Sequence, residues 1–466
     1  MRTQPDKHHV NAVYAFCEVM ILMSAVTRTG PPPGPGACDL RAIRDDPLRF
    51  LVETVAVYGD IACYTAGGET GYLVNRPDLA RQVLKDNSAN YTKQATPDFL
   101  MLRPLLGNGL LTSEGDDWAR QRHMCAPAFR RSQVEHFAAV MTSAAQDLVE
   151  RWRPAMAAGT PVRVDHDLTA LTLQVVIAAM FGADFAGLGQ GFGRAVDAVN
   201  GFIGHYLPDD DASSPQAALA QARYARAAGF LDQVARAIIT ARRAGAGAER
   251  DDLLATLLAT SADVTDTELR DQVLTIAMAG HETTAKSLTW TLYLLDRHPE
   301  VAARLTDEVD AALGGRLPTA ADLPKLATCQ QVIEETLRLY PPVWQITRRA
   351  LRPDVLDGYD VIPGALIAIS PYLLHRNPRY WDEPEAFRPE RFAAGSAGYP
   401  SHLYLPFGGG PRICIGQHFA LVEATLVLAT LLREVRLEVA PGFPVEPEAL
   451  VTLRPRHGLL MIPRPR

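Results

Sequence analysis

The run Phe407-Gly408-Gly409-Gly410-Pro411-Arg412-Ile413-Cys414-Ile415-Gly416 puts a thiol where the chain can be neither helix interior nor central strand. Three glycines and a proline force a tight loop that ends on Cys414. Glycine lets the backbone approach a flat ligand, and loop N–H groups with the nearby Arg412 are expected to favour thiolate over thiol. The competing reading is a cysteine buried in a glycine-rich turn. The full pattern F-x-x-G-x-R-x-C-x-G arises by chance in a chain of this composition with a probability on the order of 10⁻⁴, which favours the ligand reading.

Three further groupings could carry chemistry. Ala277-Met278-Ala279-Gly280-His281-Glu282-Thr283-Thr284 sets an acid and two hydroxyls beside small residues inside an apolar run. Gly280 costs a helix about 1 kcal/mol relative to alanine, so something gains from its missing side chain, whether a ligand or a neighbouring helix. Glu335 and Arg338 lie three apart, on one helical face, as surface pairs often do. Trp118 and Arg122 are four apart on a helix that ends before Pro127, where an ordinary amphipathic helix fits equally well.

Helices must position these groups. Periodicity predicts them over Ser132–Arg153, Asp167–Met180, Ala217–Arg243, Thr265–Arg297, Pro299–Leu313 and Leu326–Leu339, the Thr265 helix opening on a capping box with Glu268. Strand-like runs occur around Ile61–Val74, Tyr359–Ile369 and Val451–Ile462, which predicts a small peripheral sheet. Hydrophobic residues are 47% and charged residues 21% of 466, values of a globular chain, so the protein is read as one large domain over residues 37–466. Residues 1–36 are read as an extension ending in a stiff hinge at Pro31-Pro32-Pro33-Gly34-Pro35-Gly36. Its apolar stretch from Val10 to Val26 is short for a bilayer span, which makes a membrane anchor the less favoured reading. The net charge of -7 offers nucleic acid no basic field. Six scattered cysteines argue against disulfides and zinc or iron–sulfur sites, and for a reducing cytoplasm.

Together the motifs resemble the cytochrome P450 family of haem-thiolate monooxygenases, and the likeness spans about Asp46 to Pro463. It implies a mainly α fold with a minor β region and haem b (iron protoporphyrin IX) held through Cys414. The resemblance also implies that Phe407, Ala279 and Gly280 line the cofactor site, with Ala279 and Gly280 making room for O₂. Glu282 and Thr283 would deliver protons, Thr284 being the alternative hydroxyl. Trp118, Arg122, Arg349 and Arg412 would meet the haem propionates, Arg349 being chosen over the adjacent Arg348. Glu335, Arg338 and Arg391 would form a buried structural triad behind the cysteine loop.

The implied activity is insertion of one atom of O₂ into an apolar small molecule, by hydroxylation or epoxidation, with secondary metabolism as the expected setting. Its walls would include Phe99–Leu102, Phe202–Phe230, Val343–Ile346, Val451 and Thr452. The 52 residues after Cys414 are too few for a flavin or iron–sulfur domain, so electrons are expected from a ferredoxin or flavodoxin and its NAD(P)H-dependent reductase. Arg120, Arg130 and Arg131 are the expected docking cations. A peroxide-dependent haem-thiolate enzyme and a haem-binding sensor are the other readings; the acid-alcohol pair argues against the first, and substrate-dependent NADPH consumption separates the second.

Overall fold

The computed structural model describes residues 30–182, 189–205, 215–245, 251–260, 264–396 and 398–466. The apolar stretch at 10–26 and part of the expected wall at 202–230 lie outside them. The principal helices are α1 Pro47–Tyr58, α2 Pro97–Leu106, α3 Gly115–Cys125, α4 Ala138–Ala158, α5 Val164–Phe181, α6 Gly189–His205, α7 Pro215–Arg243, α8 Leu253–Thr260, α9 Asp266–Arg297, α10 Pro299–Leu313, α11 Ala327–Leu339 and α12 Gln417–Leu432.

The central element is α9, whose 32 residues span about 48 Å at the usual rise. Its start is fixed by the capping box: Glu268 N–H donates to Thr265 Oγ1 at 3.2 Å and Thr265 N–H to the Glu268 carboxylate at 3.1 Å. His298-Pro299 ends it, since proline cannot continue the ladder. Helix α5 packs along it, and together with α4, α11 and α12 they enclose one large apolar core. Helix α5 is the described helix long and apolar enough to cross a membrane, yet 72% of it is buried in this core.

Against the helical body lies a six-stranded sheet of β1 Gly36–Cys38, β2 Ile61–Ala66, β3 Glu69–Val74, β4 Tyr91–Thr92, β5 Ile346–Ala350 and β6 Leu366–Ile369, in the order β1-β2-β3-β6-β5-β4. Smaller pairings join 435–439 to 460–465 and 447–449 to 453–455. The minor β region is therefore as expected, with one difference at its edge. The proline-rich segment is docked on the sheet rather than hinged away from it: Pro32 is buried, the Pro33 carbonyl accepts from Cys63 N–H at 3.1 Å, and Gly36 opens β1 parallel to β2. A Cβ on Gly34 would lie 1.7 Å from the Cys63 carbonyl oxygen, so only glycine allows that approach.

Candidate functional site

The cysteine loop closes on itself, Cys414 N–H donating to the Phe407 carbonyl at 2.9 Å. Gly408 and Gly410 have φ of +72° and +69°, and a Cβ on Gly410 would sit 1.8 Å from Leu84 O. The glycines thus serve both backbone geometry and close packing. Cys414 is the exposed thiol among the described cysteines. Burial nevertheless pushes its pKa up, and the Gly416 N–H and Arg122 oppose this without reversing it. Arg412, expected to favour thiolate, is not among the groups that act on the sulfur: it stacks 4.6 Å over Trp118, pairs with Glu114 at 3.0 Å and donates to Ser113 O at 2.7 Å. A metal bond would have to supply the stabilisation.

Helix α3 brings Arg122 to the same loop, where it donates to Ile413 O at 2.7 Å. Phe407, Ile415 and Trp118 pack against the core beside it. Helix α9 packs on α12, the helix that leaves the cysteine loop. From Asp271 to Leu292 every residue is buried except Ala279, Gly280 and Thr283, which share one face of the helix. Gly280 also serves the neighbouring helix, because a Cβ there would lie 3.0 Å from Val176 Cγ2 of α5. Close packing, the competing reading of this glycine, is what its missing side chain permits.

Both hydroxyls bond back into α9, Thr283 to Ala279 O at 2.9 Å and Thr284 to Gly280 O at 3.2 Å. They differ in surroundings: Thr283 is on the exposed stripe, and Thr284 is buried beside Glu423 of α12. Glu423 is wholly buried, neither carboxylate oxygen has a hydrogen-bond partner of ordinary geometry, and desolvation raises its pKa well above the usual range. Glu282 does not touch Thr283's hydroxyl. Its carboxylate accepts from Asn200 Nδ2 and from Thr452 Oγ1, the latter at 2.8 Å.

At one edge the site gathers cations. Strand β5 points alternate residues to opposite faces. Ile346 Cδ1 is 3.8 Å from the position of a Cβ on Gly408, and Arg348, next on that face, lies within the field of Arg412 and Lys93. Arg349 points the other way, to Glu69 at 3.0 Å and to the carbonyls of Ala95 and Gly364. Arg349, the residue expected to meet a propionate, is thus turned from the cysteine loop and the adjacent Arg348 toward it: a one-residue shift in strand register moves a side chain to the opposite face. Burial pushes Arg348 down to about 10, Arg412 adding to the effect, and Asp98 and Glu114 offset it only in part. Lys93, unnoticed in the sequence, is pushed down to about 8, burial again leading.

Behind the loop, Arg338 uses all five of its N–H donors. Two reach Glu335 at 2.7 and 2.8 Å, and three reach the carbonyls of His375, Pro384 and Ala386. Arg391 approaches the same Glu335 at 3.4 Å, and Arg388 N–H donates to it at 2.8 Å. His375 continues the chain of contacts, its Nδ1 3.2 Å from Arg338 O and its Nε2 accepting from Leu405 N–H at 2.8 Å, just before the cysteine loop. Of the expected docking cations, Arg120 is ion-paired with Glu268 and Arg131 lies 3.1 Å from Glu135, while Arg130 is exposed.

These residues fit a haem. Among the described residues no cluster of three or more His, Cys, Asp or Glu side chains could hold a bare metal ion, so a metal at Cys414 needs its other ligands from a bound group. Lys93 and Arg348, each pushed down chiefly by burial and each further lowered by Arg412, concentrate positive charge that two carboxylates would stabilise.

Comparison with known proteins agrees. The family model described as Cytochrome P450 matches residues 30–465. Cyclooctatin synthase of Streptomyces melanosporofaciens is 37% identical over 434 residues, covering 90% of this chain and 92% of its own length. Pentalenene oxygenase of Streptomyces avermitilis is 35% identical, covering 87% and 90%. A solved structure, the heme domain of a cytochrome P450DA mutant, matches with a TM-score of 0.82 at 27% identity, over 90% of this chain and 93% of its own.

Proposed function

The chain belongs to the cytochrome P450 family and is a haem-thiolate monooxygenase of apolar small molecules; on that premise we propose which of its residues do what. Cys414 would hold the haem iron through its sulfur, and Lys93, Arg348 and Arg412 would hold the propionates, with Trp118 stacking on Arg412. Arg122 braces the cysteine loop through Ile413 O. Glu335, Arg338 and Arg391 lock the segment that carries His375 to the back of that loop. The observation that carries the reading is the placement of the exposed thiol, Cys414, on a glycine-rich loop braced by Arg122 through Ile413 O and by its own Arg412 on Ser113 O.

Bound haem b supplies the chemistry that reduces O₂ and inserts one oxygen atom into the substrate, the other leaving as water with two electrons and two protons. The protein's part is to orient the substrate, exclude water and meter those protons. Thr283 spends its own proton on Ala279 O, which leaves its lone pairs free to accept a hydrogen bond in the cavity. Glu282, one residue earlier, is the carboxylate that passes protons inward.

The relatives' names print pentalenene, a cyclic alkene, as a substrate of one of them. We read the substrate here as a cyclic terpene skeleton with few polar groups, held among Phe99, Val343, Ile346 and Val451. Electrons come from a ferredoxin or flavodoxin that docks near Arg130 and Arg131, in the cytoplasm. The test is optical. Pentalenene and other cyclic terpenes, titrated into the haem-loaded protein, should shift the iron from low to high spin, and NADPH with a ferredoxin and its reductase should then yield an oxygenated product. The ferrous carbon monoxide complex should show the red-shifted Soret band of a trans thiolate, absent in Cys414→Ala. A spectrum unchanged by that substitution overturns the ligand assignment.

A further inference from the structure

Glu282 is a buried carboxylate with no cation within ion-pair distance among the described residues. Lys286, one turn on, aims its Nζ at Thr169 Oγ1, 3.4 Å away. Burying such a charge is costly unless hydrogen bonds replace its water, and both replacements come from far along the chain. Thr452 donates to Oε1 at 2.8 Å and Asn200 to Oε2. The three side chains are 7%, 5% and 8% exposed, so water competes little for these bonds.

The two donors are mounted differently. Thr452 stands in the turn between 447–449 and 453–455, which is pinned on three sides: Leu453 N–H donates to Pro342 O at 2.9 Å, the Trp344 indole to Leu450 O at 2.8 Å and the Trp290 indole to Leu453 O at 3.1 Å. Asn200 stands on α6, which packs on α7, with Phe202 stacked on Tyr224 at 4.6 Å and Phe230 against Gly191. One carboxylate oxygen is therefore held by a rigid turn of the core and the other by a helix laid across it.

We propose that Asn200 and Thr452 are positioning residues that set the orientation of the Glu282 carboxylate, so that proton supply toward Thr283 depends on α6 holding Asn200 against Glu282. This rests on the reading of Glu282 as the proton-passing group. With both donors in place the carboxylate has one orientation, beside but not bonded to Thr283. With either donor gone, one oxygen loses its buried partner and the side chain turns to find another.

The experiment compares Thr452→Val, Thr452→Ser, Asn200→Asp and Glu282→Gln in the haem-loaded enzyme, with ferredoxin, reductase and the cyclic terpene that gives the largest spin-state shift. Thr452→Val keeps the shape and removes the donor. It should lower product per NADPH by about three- to tenfold, with matching hydrogen peroxide and a larger solvent isotope effect, at unchanged haem content. Thr452→Ser should restore coupling. Asn200→Asp sets two carboxylates face to face, so coupling should be poor at pH 8 and recover as the pH falls and the pair takes up a shared proton. If Glu282→Gln uncouples the enzyme while Thr452→Val and Asn200→Asp behave as wild type, the positioning role is overturned and the reading of Glu282 stands. If Glu282→Gln itself couples as wild type, that reading falls and the inference with it.

Discussion

Arg348 and Arg349 are adjacent in the chain and leave β5 on opposite faces, the first toward the cysteine loop and the second to Glu69 at 3.0 Å across the sheet. Only the first can meet a carboxylate bound at the loop. Arg348→Ala should therefore speed haem loss to apomyoglobin by about tenfold, a charge-assisted bond being lost. Arg349→Ala should leave that rate alone and cost at most about 1 kcal/mol of stability, since its partner Glu69 is half exposed. Equal effects of the two substitutions would return the assignment to Arg349.

Thr283 and Thr284 make the same backbone bond and face different neighbours. Thr283→Ala should retain haem and substrate binding, consume NADPH at a similar rate, and send most electrons to hydrogen peroxide, product per NADPH falling by about tenfold. Thr284→Ala changes a buried residue beside Glu423 and should alter coupling far less. Product and peroxide measured against NADPH decide between them.

His375 is buried and neutral, its pKa pushed down to about 3 by burial first and by Arg338 second. A histidine depressed in the fold contributes stability that is present above its unfolded value near 6.5 and is lost as pH falls toward the folded one. Stability should accordingly fall by up to about 1.4 kcal/mol per pH unit from this group between pH 6.5 and 4, read as a drop in apparent Tm. Because Nε2 accepts from Leu405 N–H, haem should be released in the same range. His375→Gln, which has no proton to gain, should flatten that part of the profile.

Glu423 behaves in the opposite sense. Its pKa is raised by burial, so the stability it contributes is complete below the unfolded value and fades as pH rises. Glu423→Gln should raise the apparent Tm by about 2 °C at pH 8 and leave it unchanged at pH 4. A uniform shift at both pH values would mean that packing, not charge, governs the site.

The long helices were legible because their apolar faces recur with helical period: Pro299–Leu313 stands in the structure as the sequence places it. Helix α12 was missed because it is apolar all round, every residue from Val422 to Leu432 being buried, so no face stands out. At the site, Cys414, Arg338 and the stripe around Thr283 stood in local patterns. Arg348 was lost to strand parity, which the double proline upstream did not fix. Asn200 and Thr452 reach Glu282 from 82 and 170 positions away. Neither has a neighbour in sequence that announces the contact, and only tertiary packing creates it.

Gly280 and Val176, on helices α9 and α5, divide one small volume between them. Neither position is free to drift alone. An alanine at 280 asks for a smaller residue at 176, and a larger residue at 176 is admitted only while 280 has no side chain. Through descent the two should change together, as a single inherited unit. A designer who enlarges the cavity from the α9 side must therefore rewrite α5 in the same step.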